Sequence, residues 1–270
     1  MTNNATKARA VHQAKVKSVL GIERVDRQDI WTSAAAAPSA LEHCQVSPGS
    51  HVFVVGQAGL HTELREAGYI THGDELGLVT MAPEQAARAA DVKAADLLPE
   101  VKAVVVGFDA GVTYTKLAHA VAYIRRGAVF VATNRDVTFP APDLLLPGGG
   151  TLVAAVEAGS GHAPNMVAGK PSVEFMELIA HSAPVPDLVS YMARDGAPAV
   201  CLETAPALFI GDRLDTDIAA AHAAGIPSIL VLSGVTPAEH VHEDLPSTLQ
   251  PTFVVDSVAD LVELLASSSA

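Results

Sequence analysis

Aromatic side chains are scarce: one tryptophan, four tyrosines and seven phenylalanines make up 4% of the 270 residues. That composition speaks against an aromatic-rich sandwich and for helices packed closely on a sheet through alanine and glycine. Cysteine is nearly absent. Cys44 and Cys201 are too few and too isolated for a disulfide framework, and neither has Cys or His neighbours at zinc-ligand spacing. Both are expected to be reduced, partly buried thiols of a cytoplasmic protein. Basic residues are outnumbered, 17 against 30 acidic ones, for a formal charge of −13. Without a Lys- or Arg-rich stripe, this argues against a nucleic-acid backbone as partner. No apolar run approaches the roughly 20 residues that span a bilayer. The start, MTNNATKARAVHQ, lacks the apolar core of a signal peptide. Neither GxxxxGK[ST] nor GxSxG occurs, which speaks against a phosphate-binding P-loop and an α/β-hydrolase triad. The histidines are scattered; His240 and His242, two apart in an expected surface loop, make no metal cluster.

What is present alternates between two periods. With 49% hydrophobic residues, the chain can fill one large domain or two modest ones. Val101 to Val106 reads as a buried strand, as do His51 to Val55 after the Pro48-Gly49 turn and Ala128 to Ala132. Ala207 to Ile210, Ile229 to Leu232 and Val254 to Val255 give further strands, and Asp29 to Thr32 a strand or strand end. Helical spacing is expected over Ala5 to Leu20 with Gly21 as its stop, and over Ala34 to Glu42, interrupted by Pro38. Further helices are expected over Gly59 to Ala67, Tyr114 to Ile124, Thr151 to Ala158, Asp217 to Ala224 and Val258 to Leu265, with one starting at Val173 to Ile179. Alternating strands and helices predict α/β architecture.

The sharpest chemical signal is Gly211-Asp212-Arg213-Leu214-Asp215-Thr216-Asp217. It follows a hydrophobic strand, and ligand crevices form at carboxyl strand ends. There Asp212 could hold Mg²⁺ through a hard oxygen, with Asp217 supporting the site. The plainer alternative is an acidic helix start favoured by the helix dipole. Lys170, between Gly169 and Pro171, could neutralise a phosphoryl oxygen, or be an ordinary exposed lysine. Thr2, Asn3 and Asn4 could cap a helix and receive an anion. Asp109 and Asp136 follow strands; they line a substrate-facing rim or are solvated turn acids.

In combination these residues resemble a known family. Thr2-Asn3-Asn4-Ala5-Thr6-Lys7, Val106-Gly107-Phe108-Asp109, Tyr114-Thr115-Lys116-Leu117, Ala132-Thr133-Asn134-Arg135-Asp136, Gly169-Lys170-Pro171 and Gly211 through Asp217 occur in the order seen in haloacid-dehalogenase-type phosphatases of the 4-nitrophenyl-phosphatase and phosphoglycolate-phosphatase group. The likeness runs from Thr2 to about Thr236. It implies a Rossmann-like core, residues 1–44 and 153–270, with an inserted α/β cap over residues 45–152. It also implies Mg²⁺-dependent hydrolysis of a small phosphorylated metabolite through an aspartyl-phosphate. Thr2 would bind the transferring phosphoryl group, and Asn3 or Asn4 would support it. Lys170 would balance charge, Asp212 would bind Mg²⁺, and Asp217 would support the metal. An exposed cap face suits a homodimer.

Two departures from the family pattern follow. The strand-Asp-x-Asp-Gly segment of that family would lie before Thr2, and Asp215-Thr216-Asp217 is the sole Asp-x-Asp here. The core is therefore expected to be truncated, without its first two strands, and the chain inactive. The alternative is a non-catalytic phosphometabolite-binding or interaction paralogue on the same fold. The second departure is an apparent insertion over Tyr191 to Thr204.

Overall fold

The computed structural model describes residues 1–76, 92–182, 192 and 207–261. The expected insertion at Tyr191 to Thr204 lies outside the described residues except for Met192, as does Cys201. By packing, the chain divides into two compact units, Met1–Gly169 and Lys170–Ala270.

Valine-rich runs build the sheet of the first unit. β1 (His51–Val55) and β3 (Val101–Val106) are parallel neighbours whose Val52 to Val55 and Ala103 to Val106 are buried. Such near-continuous apolar runs belong to strands covered on both faces. β2 (Ile70–His72) flanks β1, while β4 (Val129–Ala132) and β7 (Met166–Val167) extend the other side. The order β2-β1-β3-β4-β7 is parallel throughout. Against it pack α4 (Tyr114–Arg125) and α5 (Gly149–Ser160), burying Ala120, Tyr123, Ile124, Val153 and Val156 among Phe53, Val104 and Phe130. Thr113 caps α4 by accepting the Lys116 N–H at 3.2 Å. α2 (Ser33–His43) packs on α3 (Ala58–Glu66). Thr32 caps α2 through the Ala35 N–H, and Pro38 is carried inside that helix.

The first residues of the chain are built into this unit. Thr2 forms a parallel bridge with Thr32, its N–H donating to the Trp31 carbonyl (2.9 Å) and its carbonyl accepting the Ser33 N–H (3.1 Å). α1 (Arg9–Leu20) follows and ends at Gly21 in the left-handed region, φ 65°. The expectation that the core is open where the chain begins is corrected: Thr2 is bonded to the stretch that precedes α2. Of the expected strand or strand end Asp29 to Thr32, Thr32 is the residue bridged to Thr2, while Arg27–Asp29 is a 3₁₀ turn with a capping box.

In the second unit, β8 (Phe209–Gly211), β9 (Ser228–Val231) and β10 (Phe253–Val255) form a parallel sheet of order β10-β9-β8. α6 (Val173–Ser182) packs on α7 (Ala219–Ala223), and Met176, Ala180, Phe209, Ala220, Ala221, Ala224 and Ile226 form the core. The helix expected from Asp217 begins instead as a π-type turn, Leu214–Ile218, in which the Arg213 carbonyl accepts from both Asp217 and Ile218. A hairpin of β5 (Thr138–Ala141) and β6 (Leu144–Pro147) has no counterpart in the sequence reading. No helix among the described residues is long and apolar enough to cross a membrane.

His61, on α3, is 3% exposed, with Nδ1 3.0 Å from the Thr71 hydroxyl. Burial, reinforced by Lys116 and Arg65 and opposed by Asp74, lowers its pKa to about 4. The unfolded chain takes up a proton near the ordinary value of 6.5 while the native ring stays neutral. The neutral ring's stabilisation is thus complete above pH 6.5 and is lost as pH falls toward 4, by roughly 3 kcal/mol over that window. Urea unfolding of wild type and His61→Leu at several pH values should show a steeper acid loss in the wild type. Equal slopes would contradict the assignment.

Candidate active site

Three acids follow β8, and the structure gives each a different task. Asp212 leaves the strand half-buried, and the loop after β9 clamps it. The Asp212 carbonyl accepts the Thr236 N–H (3.0 Å), and its Oδ2 accepts the Val235 N–H (2.9 Å). Gly234 permits this approach, since a Cβ there would overlap the Asp212 carboxylate. Asp217 is 4% exposed, and its Oδ2 accepts the backbone N–H groups of Asp212 (3.0 Å) and Arg213 (3.1 Å). Its Oδ1 takes the Lys170 ammonium at 2.5 Å, and that lysine is itself 8% exposed. Asp217 is therefore a strut holding a buried cation on one side and the Asp212 backbone on the other. Gly211 is required as well, because a Cβ would collide with the Asp217 side chain. Asp215 points outward and pairs with Arg213 through two bonds of 2.6 and 3.0 Å.

The donor set suits Mg²⁺ in one respect. Hydrogen bonds among the described residues engage Asp212 Oδ2 and not Oδ1. A half-buried carboxylate with one such oxygen at a carboxyl strand end matches an ion usually held by one or two carboxylates and substrate phosphate. The described residues contain no group of three or more His, Cys, Asp or Glu fit to enclose a metal. A closed, protein-only cage is not what they form.

The other expected residues lie in the first unit. Thr2 Oγ1 accepts the Asn4 N–H (3.2 Å), and Asn4 Oδ1 accepts both the Thr6 N–H (2.9 Å) and the Thr6 hydroxyl (2.8 Å). Asn3 is a hub: its amide donates to Asp136 (3.0 Å), while its carbonyl accepts from Ser33 Oγ (2.7 Å) and the Asn134 amide (2.9 Å). Thus Asn134 and Asp136 buttress the Thr2–Asn4 turn. Asp109 is neither solvated nor on an open rim. It is 7% exposed, ion-paired with buried Lys116 at 2.7 Å, and it accepts the Gly111 N–H.

Sequence reasoning passed over Ser33 and the Gly234–Thr236 loop, and quoted Lys116 within a family motif without giving it a role. Thr32-Ser33 before an alanine-rich helix was a legible cap signal, read instead as strand. The roles of Lys116 and Gly234 depend on tertiary neighbours, and no local pattern announces them.

Residues 167–261 match the family described as HAD-hydrolase-like, and residues 1–70 match the family described as haloacid dehalogenase-like hydrolase. The chain is 32% identical over 273 residues to phosphoglycolate phosphatase 2 of Arabidopsis thaliana, covering 99% of this chain and 81% of that protein. It is 32% identical over 278 residues to glycerol-3-phosphate phosphatase of Gallus gallus, covering 98% and 80%. Among solved structures, the glycerol phosphate phosphatase of Mycobacterium tuberculosis in complex with calcium is similar at a TM-score of 0.72 and 30% identity, with 96% of this chain covered. This chain spans 63% of the length of that one, which has also been solved with magnesium. The p-nitrophenyl phosphatase of Archaeoglobus fulgidus gives a TM-score of 0.73 at 27% identity, covering 97% and 84%. The match over residues 1–70 overturns the expectation of a core without its N-terminal part, and with it the expectation of inactivity on that ground.

Breaking a buried ion pair by neutralising one partner costs about 3–5 kcal/mol. Asp217→Asn keeps the volume but turns an NH₂ toward either Lys170 or the Asp212 and Arg213 N–H groups. We expect urea unfolding to show a loss in that range. A loss under about 1 kcal/mol would show that Asp217 is no strut.

Proposed function

The chain belongs to the haloacid dehalogenase-like hydrolases, a phosphatase lineage, and on that footing we propose that it handles small phosphate monoesters at a Mg²⁺-dependent site. The observation that carries this reading is the single Asp217 carboxylate that fixes both the Lys170 ammonium and the Asp212 backbone. A phosphoryl group needs its spreading negative charge met by groups that do not reorganise during reaction. Lys170 supplies a positive charge held in place by Asp217. Asp212 would hold Mg²⁺ through Oδ1, the carboxylate oxygen that does not accept the Val235 N–H. When bound, the ion acts as a Lewis acid on phosphoryl oxygen and orients the ester.

Thr2 is the phosphoryl contact within its turn, because its hydroxyl can donate while Oγ1 accepts from Asn4. Asn3 and Asn4 act behind it, since their amide and carbonyl groups are committed to shaping the turn. The family resemblance assigns residues 45–152 to a cap that would select the leaving group and residues 1–44 and 153–270 to a core, a boundary that the β4–β7 pairing crosses. The metabolites in the relatives' names, phosphoglycolate and glycerol phosphate, support a small phosphate monoester as substrate. The −13 charge disfavours nucleic-acid partners, the two isolated cysteines suit a cytoplasmic setting, and the exposed leucines of β6 suit pairing of two copies.

The test is calorimetric binding of inorganic phosphate with and without Mg²⁺, with turnover of 2-phosphoglycolate and glycerol 3-phosphate followed on the same samples. Binding should require Mg²⁺ and weaken at least about tenfold in Asp212→Asn and Lys170→Met. Turnover should fall in the same order. Phosphate binding that is indifferent to Mg²⁺ and to both substitutions would overturn the proposal.

A further inference from the structure

α1 begins without a cap of its own. Ala8 occupies the capping position and offers no side-chain acceptor, so the first N–H of the helix, that of Arg9, would be left as an orphan donor. The acceptor comes instead from another helix. Glu63, in the middle of α3, has a side chain 1% exposed, and its Oε1 accepts the Arg9 N–H at 2.6 Å. Its Oε2 takes the Arg9 Nε at 3.0 Å and lies 3.5 Å from the Arg27 guanidinium, which also pairs with Glu66. A carboxylate at a helix N-terminus is favoured by the helix dipole, and here two guanidinium groups offset the cost of burying it.

The arrangement is reciprocal. At the start of α3 the Gly59 N–H donates to the Thr6 carbonyl (3.1 Å). Any Cβ on Gly59 would overlap the Lys7 backbone. Each helix thus satisfies an N-terminal donor with a group from the other's segment. Residues Thr2 to Lys7 are held at both ends, by Trp31, Ser33, Asn134 and Asp136 on one side and by Gly59 and Glu63 on the other. Loss of the second clamp frees the segment that carries Thr2 and Asn4 while leaving the first intact.

We infer that Glu63 is a positioning residue: it caps α1 from α3 and thereby fixes the Thr2–Asn4 turn for phosphate, an inference that rests on the role proposed above for Thr2. Glu63 touches no phosphoryl group itself. It acts through the Arg9 N–H and the geometry of the turn that precedes it.

The experiment compares wild type, Glu63→Ala and Glu63→Gln by residue-resolved amide exchange and by phosphate binding in saturating Mg²⁺. Glu63→Ala should speed exchange at Arg9 by about tenfold relative to core amides of β3, and weaken phosphate binding by a similar factor. Glu63→Gln retains an acceptor oxygen for the Arg9 N–H, so it should restore most of the protection and stay within about threefold of wild-type binding. Mg²⁺ affinity, which reads Asp212, should not move in either variant. Unchanged Arg9 exchange in Glu63→Ala would overturn the cap. Faster exchange with unchanged phosphate affinity would overturn the positioning role. If Glu63→Ala does not fold, Glu63→Gln decides: phosphate binding weakened more than tenfold, with Arg9 protection intact, would count against action through the cap. A wild-type chain that fails to bind phosphate would sink the functional reading, while the exchange comparison would still decide the cap.

Discussion

A single buried carboxylate, Asp217, organises the chemistry of the second unit. It faces one ammonium and two backbone N–H groups, and in the protein interior each of these attractions is stronger than in water. The carboxylate cannot be removed without leaving charge and donors uncompensated, and it cannot shift without moving Asp212. The glycines follow from it. Gly211 gives Asp217 room to fold back on its own strand, and Gly234 lets the loop after β9 close on Asp212. The π-type turn belongs to the same constraint, since it lets Arg213 accept two amides while Asp217 turns inward.

The first unit solves a comparable problem around a neutral amide side chain. Asn3 offers a carbonyl to Ser33 and Asn134 and an amide to Asp136, so the chain's opening turn is anchored by hydrogen bonds rather than by apolar burial. Such anchoring suits a segment meant to meet a charged ligand, because the polar groups nearby are already fixed. The buried Asp109–Lys116 pair, with Asp109 also accepting the Gly111 N–H, orders the loop after β3.

Much of this was legible in the sequence, for physical reasons. Strands buried on both faces must be nearly continuous in valine, and His51–Val55 and Val101–Val106 were read with the bounds the structure shows. The spacing from Gly211 to Asp217 marked a strand end with acids beyond it, and that is where they lie. The β5–β6 hairpin escaped notice because prolines 140, 142 and 147 and three successive leucines hide any alternation. Its turn depends on Asp143 in the left-handed region, φ 65°, a conformation that composition does not reveal. The start of α1 was placed too early because Ala5 and Ala8 suit a helix, whereas the Asn4–Thr6 turn and the Glu63 carboxylate set its first residue at Arg9. The expected N-terminal gap came from comparing motifs in order. It gave way to the family match over residues 1–70.

The central claim is that Asp217 and Lys170 act as one unit, and a double-mutant cycle measures that directly. Unfolding free energies of wild type, Lys170→Met, Asp217→Asn and the double variant give the coupling between the two side chains. We expect a coupling of about 2 kcal/mol or more, with the double variant losing far less than the sum of the single losses. Additivity within about 0.5 kcal/mol would contradict the account.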